Sequence, residues 1–176
     1  HAESGTILMN GKPLNKDSAR IGYMLQKDHL LEWRSIYRNV LLGLEIKGEL
    51  TKDNLSYVDE LLKLYELDKF RNSRPSQLSG GMRQRVGIAR ALVVQPDALF
   101  MDEPFSALDV LTAENLRNEV LKMWSGDQRS IKSVLIVTHN IEEAVQMADR
   151  VVVLGSHPGH LIADVPVTLP RPRDRH

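Results

Sequence analysis

Residues 98–101, Ala98-Leu99-Phe100-Met101, form a short, wholly apolar run that stops at Asp102-Glu103-Pro104. A strand with no polar face must be covered on both sides, and such strands belong to parallel sheets flanked by helices. Two more runs of this kind follow, at 134–137 and 151–154. Between them lie stretches with helical spacing. Ala113, Leu116, Val120 and Trp124 mark one helix. Asn140 caps another that carries Ile141, Ala144, Val145 and Ala148, with Glu142 and Glu143 suited to its positive end. Buried strands alternating with helices predict an α/β fold with a mostly parallel sheet and right-handed crossovers.

The first half of the chain reads differently. Residues 4–11 predict a short strand ending in an Asn10-Gly11 turn, and residues 21–26 another strand. Residues 35–47 predict a helix with Ile36, Val40 and Leu44 on one face. Thr51 caps a helix whose apolar face is Leu55, Val58, Leu62 and Tyr65. This helical stretch, as far as about residue 71, reads as a lobe inserted into the sheet. Pro75 interrupts the chain. Ser79 then starts a helix with Met82, Val86, Ala89 and Val93 inward, stopped by Pro96. Residues 161–165 predict an edge strand, and residues 169–176 a Pro/Arg-rich extended tail or linker.

Composition narrows the functional classes. Lys plus Arg equal Asp plus Glu at 23 each, which gives no electrostatic basis for general nucleic-acid binding. Without Cys, disulfides and Cys-based zinc sites are excluded. No apolar run approaches the ~18 residues of a membrane span, so a membrane role requires a partner.

Two motifs carry chemistry. In Leu78-Ser79-Gly80-Gly81-Met82, Ser79 stands at a helix N-cap and Gly80-Gly81 form the first turn. Free amides there favour an anion, and absent Cβ atoms let a phosphate approach. Ser-Gly-Gly alone reads rather as an ordinary capped helix with a flexible entry. In the second motif, Asp102 and Glu103 end an apolar strand, where ligands bind in open α/β sheets. Asp102 is suited to Mg²⁺ through water and Glu103 to activating a water as general base. A bare Asp-Glu reads as a solvated acidic turn; four apolar residues before it and Pro104 after it argue otherwise. His139 follows another predicted buried strand, where an imidazole can donate to a γ-phosphate. His157 and His160 flank a Pro-Gly turn but lack a third ligand for a metal.

In order, these residues resemble the ABC transporter ATP-binding subunit: a Q-loop at Gln26, the signature at residues 78–82, a Walker B segment at 98–103, a D-loop at Ser106-Ala107-Leu108-Asp109 and a switch histidine at His139. The resemblance implies a partial P-loop NTPase core. Residues 1–34 are then the remainder of the ATP-binding core, 35–78 the helical lobe, 79–168 the signature helix and remaining core, and 169–176 the tail. It assigns Glu103 and His139 to catalysis. Gln26, Ser79, Gly80, Gly81, Gln84, Asp102 and Asp109 go to the nucleotide, and Gln26 and Asp102 to Mg²⁺. ATP and Mg²⁺ are the implied cofactors. The implied partners are a second ATPase copy met head to tail, so that Ser79–Gly81 act in trans, a transmembrane permease and, indirectly, a substrate-binding protein. The implied location is the cytoplasmic face of the membrane, peripherally.

Residues 81–92, His157-Pro158-Gly159 and Leu169-Pro170-Arg171-Pro172-Arg173-Asp174 resemble the nitrate/sulfonate/taurine importer type, and Leu30-Leu31-Glu32-Trp33 resembles its post-Q-loop segment, although Glu32 stands where many members have Pro. A soluble ABC ATPase and a non-catalytic dimerisation or regulatory module are the competing readings.

One departure is larger. A phosphate loop reads G-x-x-x-x-G-K-S/T; Gly11-Lys12 is followed by Pro13, which has no backbone donor, and no Gly stands five residues before Gly11. The chain begins at His1, so the loop is expected on an upstream segment. The family places that loop's strand between the strand leading to His139 and strand 151–154. A gap or an unpaired apolar edge is therefore expected at the centre of the sheet.

Overall fold

The computed structural model describes residues 4–9, 11–13, 20–125 and 131–173. Strands β1 (Leu8–Met9) and β2 (Lys12–Pro13) pair antiparallel. The strand expected over residues 4–11 is thus Leu8–Met9, and Asn10 of its expected turn lies outside the described residues. Strand β3 (Ile21–Met24) ends two residues before Gln26, which therefore sits in a turn.

Helices α1 (Ile36–Lys47) and α2 (Lys52–Leu64) fall where their spacing predicts, and α2 starts after its predicted cap. Ser35 Oγ accepts the Arg38 amide, and Thr51 Oγ1 accepts the Asn54 amide. Buried Asn39 pins the preceding turn: its Oδ1 accepts the Leu31 amide at 2.7 Å and its Nδ2 reaches three carbonyls of residues 31–35. Helix α3 (Gly80–Leu92) is capped by Ser79, whose Oγ accepts the Met82 amide. It lies against β3 so closely that a Cβ at Gly22 would meet the Ala91 carbonyl oxygen at 2.5 Å. Ile36, Val40, Leu44, Leu62 and Val86 share one buried cluster with Leu99 and Met101, so the helical stretch and the sheet have a common core.

Strand β4 (Ala98–Asp102) runs between β3 and β5 (Ser133–Val137), parallel to both. It is the covered strand its composition demands. Helix α4 (Val110–Ser125) precedes β5, and α5 (Ile141–Met147) follows it, with Asn140 Oδ1 accepting the Glu143 amide.

Strands β5 and β6 (Arg150–Gly155) are not covered as expected. Among the described residues, β6 pairs only with β7 (His160–Pro166), antiparallel, in a sheet of its own. Leu154 is 71 % exposed, and Leu135 and Val137 of β5 are more than half exposed. Neither strand is buried on both faces, because among the described residues no strand joins β5 to β6. The interruption falls where the sheet was expected to open.

Residues 169–173 pack back against the end of α5. The Arg173 side chain is 7 % exposed; it donates to the carbonyls of Val145 and Ala148 at the end of α5 and to those of Val167 and Leu169. Arg171 donates to the Met147 carbonyl, pairs with Asp149 at 2.8 Å and covers the Trp124 ring. Two guanidinium groups thus satisfy the helix end and complement its negative pole. Arg173→Ala is expected to destabilise the fold by about 1–3 kcal/mol, measured by denaturant unfolding; an unchanged midpoint would show the strap to be idle.

Candidate functional site

The C-terminal ends of β4 and β5 place Glu103 and His139 together. His139 Nδ1 lies 3.1 Å from Glu103 Oε1, and Gln26 Nε2 donates to Glu103 Oε2 at 2.9 Å. One carboxylate therefore faces an amide from the β3 side and an imidazole from the β5 side. Glu103 holds φ of 43°, a left-handed conformation that a non-glycine residue adopts at a cost. The surroundings enforce it. The Glu103 amide donates to the Val137 carbonyl at 2.8 Å. Its own carbonyl accepts from the Ser106 amide at 3.2 Å and from Ser106 Oγ at 3.0 Å.

A cleft of about 210 Å³ opens beside this cluster, lined by Glu103, Ser106, Thr138 and His139 and floored by Arg117 and Glu143. Arg117 and Glu143 are 3 % and 5 % exposed, and Arg117 Nε and Glu143 Oε1 have no hydrogen-bond partner. Burial raises the Glu143 carboxyl above its ordinary value, opposed by a hydrogen bond with Thr138 and the Arg117 charge. Sequence reading missed Arg117 because an Arg in an amphipathic helix is normally solvated. Its place beside Leu116 on the Ala113–Leu116–Val120 stripe was the available signal.

The other expected residues lie around this centre. Asp102 ends β4, partly covered. Asp109 Oδ1 accepts the Thr112 amide at 3.0 Å; that bond above all lowers its pKa. Ser79 and Gly80 are exposed at the start of α3. A Cβ at Gly80 would meet nothing within 4 Å, whereas one at Gly81 would meet the Thr112 methyl at 2.7 Å. Gly81 is thus constrained by packing on α4 as well as by access. Gln84, expected to contact nucleotide, is 4 % exposed, and its Nε2 donates to the Gln26 carbonyl at 3.4 Å. Its position one helical turn inward from Gly80 turns it toward the core.

Asp28 joins the site from beside Gln26. Burial tends to raise its carboxyl. The Arg83 hydrogen bonds, the Leu30 amide and the charges of Arg83 and Arg90 outweigh that and hold it below the usual carboxylate value. Among the described residues no group of three or more His, Cys, Asp or Glu forms a complete metal cage. The donors present, Asp102 and Gln26, suit an ion that keeps most of its ligands as water and phosphate oxygens, as Mg²⁺ does.

A parallel core with an acid–amide–imidazole cluster at its strand ends and an exposed glycine-led helix start defines an α/β core of the ATP-binding-cassette type. The chain belongs to the ABC transporter family, which its sequence matches over residues 1–106. It is 43 % identical over 171 residues to an uncharacterized ABC transporter ATP-binding protein of Methanocaldococcus jannaschii, covering 97 % of this chain and 63 % of that protein. It is also 43 % identical over 159 residues to the taurine import ATP-binding protein of Rhizobium johnstonii, covering 90 % of this chain and 60 % of that one. The chain thus spans somewhat over half the length of these relatives. A dimeric ATP-binding cassette in a post-hydrolysis state, bound to ADP and Pi, superposes with a TM-score of 0.77 at 30 % identity, covering 94 % of this chain and 74 % of that one. CbiO1 of Clostridium perfringens, part of the ABC transporter complex cbiONQ, gives 0.79 at 27 % identity, covering 94 % and 67 %. Among the described residues no helix is long and apolar enough to cross a membrane.

Proposed function

We propose that the whole protein is the ATP-hydrolysing subunit of an ABC importer for a small anionic solute of the nitrate, sulfonate or taurine kind. The observation that carries the catalytic part is the contact of Glu103 with both Gln26 and His139, in a backbone conformation the fold enforces. Glu103 takes the proton of the attacking water. His139 holds that water and donates toward the γ-phosphate. Gln26 orients the carboxylate from the opposite side. Asp102 and Gln26 would hold Mg²⁺, which supplies positive charge to the phosphate oxygens. The similarity to taurine import proteins supports the solute class.

The same reading makes the start of α3 an anion site for the ATP of a second copy, with a permease anchoring the pair at the cytoplasmic face of the membrane. It is tested at Gly80, because a side chain there is accommodated without disturbing the monomer, unlike one at Gly81. Gly80→Asp in the whole protein is expected to leave monomer nucleotide binding intact and to abolish ATP-driven dimerisation, since a carboxylate would occupy the anion position. Light scattering with ATP, in a slow-hydrolysis background, checks this; dimerisation at the parent ATP concentration removes the start of α3 from the second copy's site.

A further inference from the structure

One stripe of α3 grips the turn that carries Gln26. Arg83 Nε and Nη2 close on Asp28 Oδ2 and Oδ1 at 2.7 and 3.2 Å, and Nη2 also reaches Glu32 Oε1 at 2.8 Å. Gln84 takes the Gln26 carbonyl. Further along, Arg90 donates to the carbonyls of Asp28 and His29. Residues 83, 87 and 90 fall on one face at helical spacing; Gly87 lies between the two arginines, with Met24 against it. The gripped turn is strained, with His29 at φ of 44°. Asp28 Oδ1 braces it from within by accepting the Leu30 amide at 3.0 Å.

The Asp28–Arg83 pair is partly desolvated, with side chains 19 % and 26 % exposed. Its geometry is bidentate, which fixes orientation as well as distance. Removing one partner would strand the other charge in a partly dry site. Arg83 stands two residues after Gly81, and Asp28 two residues after Gln26. Hydrogen bonds and a short stretch of main chain therefore lead from the Glu103 carboxylate through Gln26, Asp28 and Arg83 to Ser79 at the exposed start of α3, whose carbonyl accepts the Arg83 amide at 3.0 Å. Glu32 adds a contact that a Pro at that position could not make.

We infer that Asp28, held by Arg83, is a positioning residue that makes the Gln26 turn and the Ser79–Gly81 helix start move as one body, with Glu32 as an auxiliary grip. The inference rests on the ATPase reading above. In that reading the two anion-facing ends belong to opposite composite sites of a dimer, and the latch sets the angle between them.

The experiment uses the whole protein and four variants: Asp28→Asn, Asp28→Glu, Glu32→Gln and the exchange Asp28→Arg/Arg83→Asp. Asp28→Asn is expected to lower kcat about 5–30-fold with KM for ATP within about twofold. Asp28→Glu and the exchange should each recover part of the loss. Glu32→Gln, at a residue half exposed, should show a smaller effect of the same kind and keeps the test readable if Asp28→Asn folds poorly. Hydrogen exchange gives a readout apart from activity: residues 26–32 and 79–84 should lose protection together in Asp28→Asn. Loss confined to residues 26–32, or kcat within twofold of the parent in both Asp28→Asn and Glu32→Gln, overturns the latch. Glu103→Gln serves as control. A parent protein without ATPase activity refutes the ATPase reading, while the exchange data still judge the mechanical coupling.

Discussion

Replacing Glu103 by Gln in the whole protein is expected to preserve ATP binding and to lower turnover by about 10²–10⁴-fold. The substitution keeps shape and removes the negative charge. Gln26 Nε2 now donates to Oε2 at 2.9 Å, and an amide oxygen at position 103 could accept that bond. What it cannot do is take a proton from water. The left-handed backbone at this position is enforced by Val137 and Ser106 whichever side chain is present, so the variant should fold as the parent does. Steady-state turnover alongside equilibrium nucleotide binding separates the two effects. Near-normal turnover would take Glu103 out of the chemistry and leave His139 as the group to test next. A fall in affinity matching the fall in turnover would make Glu103 a binding residue instead.

Much of this arrangement was legible in the residues. The β4 run and its acidic stop pointed to the candidate site, because an apolar strand belongs at the centre of a sheet and its C-terminal end is where an open sheet presents side chains. Thr51, Ser79 and Asn140 marked helix starts, and each side chain accepts the amide three residues on. That signal is local, so it survives without knowledge of the fold. Other features depend on distant partners. Val152 and Leu154 read as buried because they are apolar, but burial of a strand requires neighbours on both sides, and β6 has only β7. The left-handed Glu103 has no sequence signature at all. Gln84, Arg117 and Arg173 are polar residues that composition places at the surface and that the structure buries. Gln84 is held by the Gln26 carbonyl and Arg173 by the carbonyls that end α5, while Arg117 lines the cleft with Glu143. Glu32 is informative in the other direction: a departure from the family pattern became interpretable only when Arg83 was found against it.

Residues 1–176 by themselves are expected to show no ATP turnover and to bind nucleotide weakly. The sequence contains no G-x-x-x-x-G-K-S/T segment, so the amide cradle and the Lys that hold β- and γ-phosphates in such enzymes are missing from it. The sheet tells the same story in packing. Among the described residues β5 pairs with β4 on one side only, and β6 belongs to a separate two-stranded sheet. Leu135, Val137 and Leu154 are apolar side chains left largely in water. An unpaired apolar edge of this kind favours intermolecular pairing, so marginal solubility is expected with it. An N-terminal extension carrying a phosphate loop and its strand should fill the interruption, restore ATP binding and raise the melting temperature. The comparison is decisive when made with and without ligand. At a concentration 100 times the dissociation constant, a bound nucleotide stabilises the folded state by about 2.7 kcal/mol. The extended polypeptide should therefore melt higher when ATP and Mg²⁺ are added, and residues 1–176 should not. A clear Mg²⁺-dependent shift in residues 1–176 alone would mean that Asp102, Gln26 and the start of α3 suffice to hold the triphosphate, and the need for a separate phosphate loop would fall.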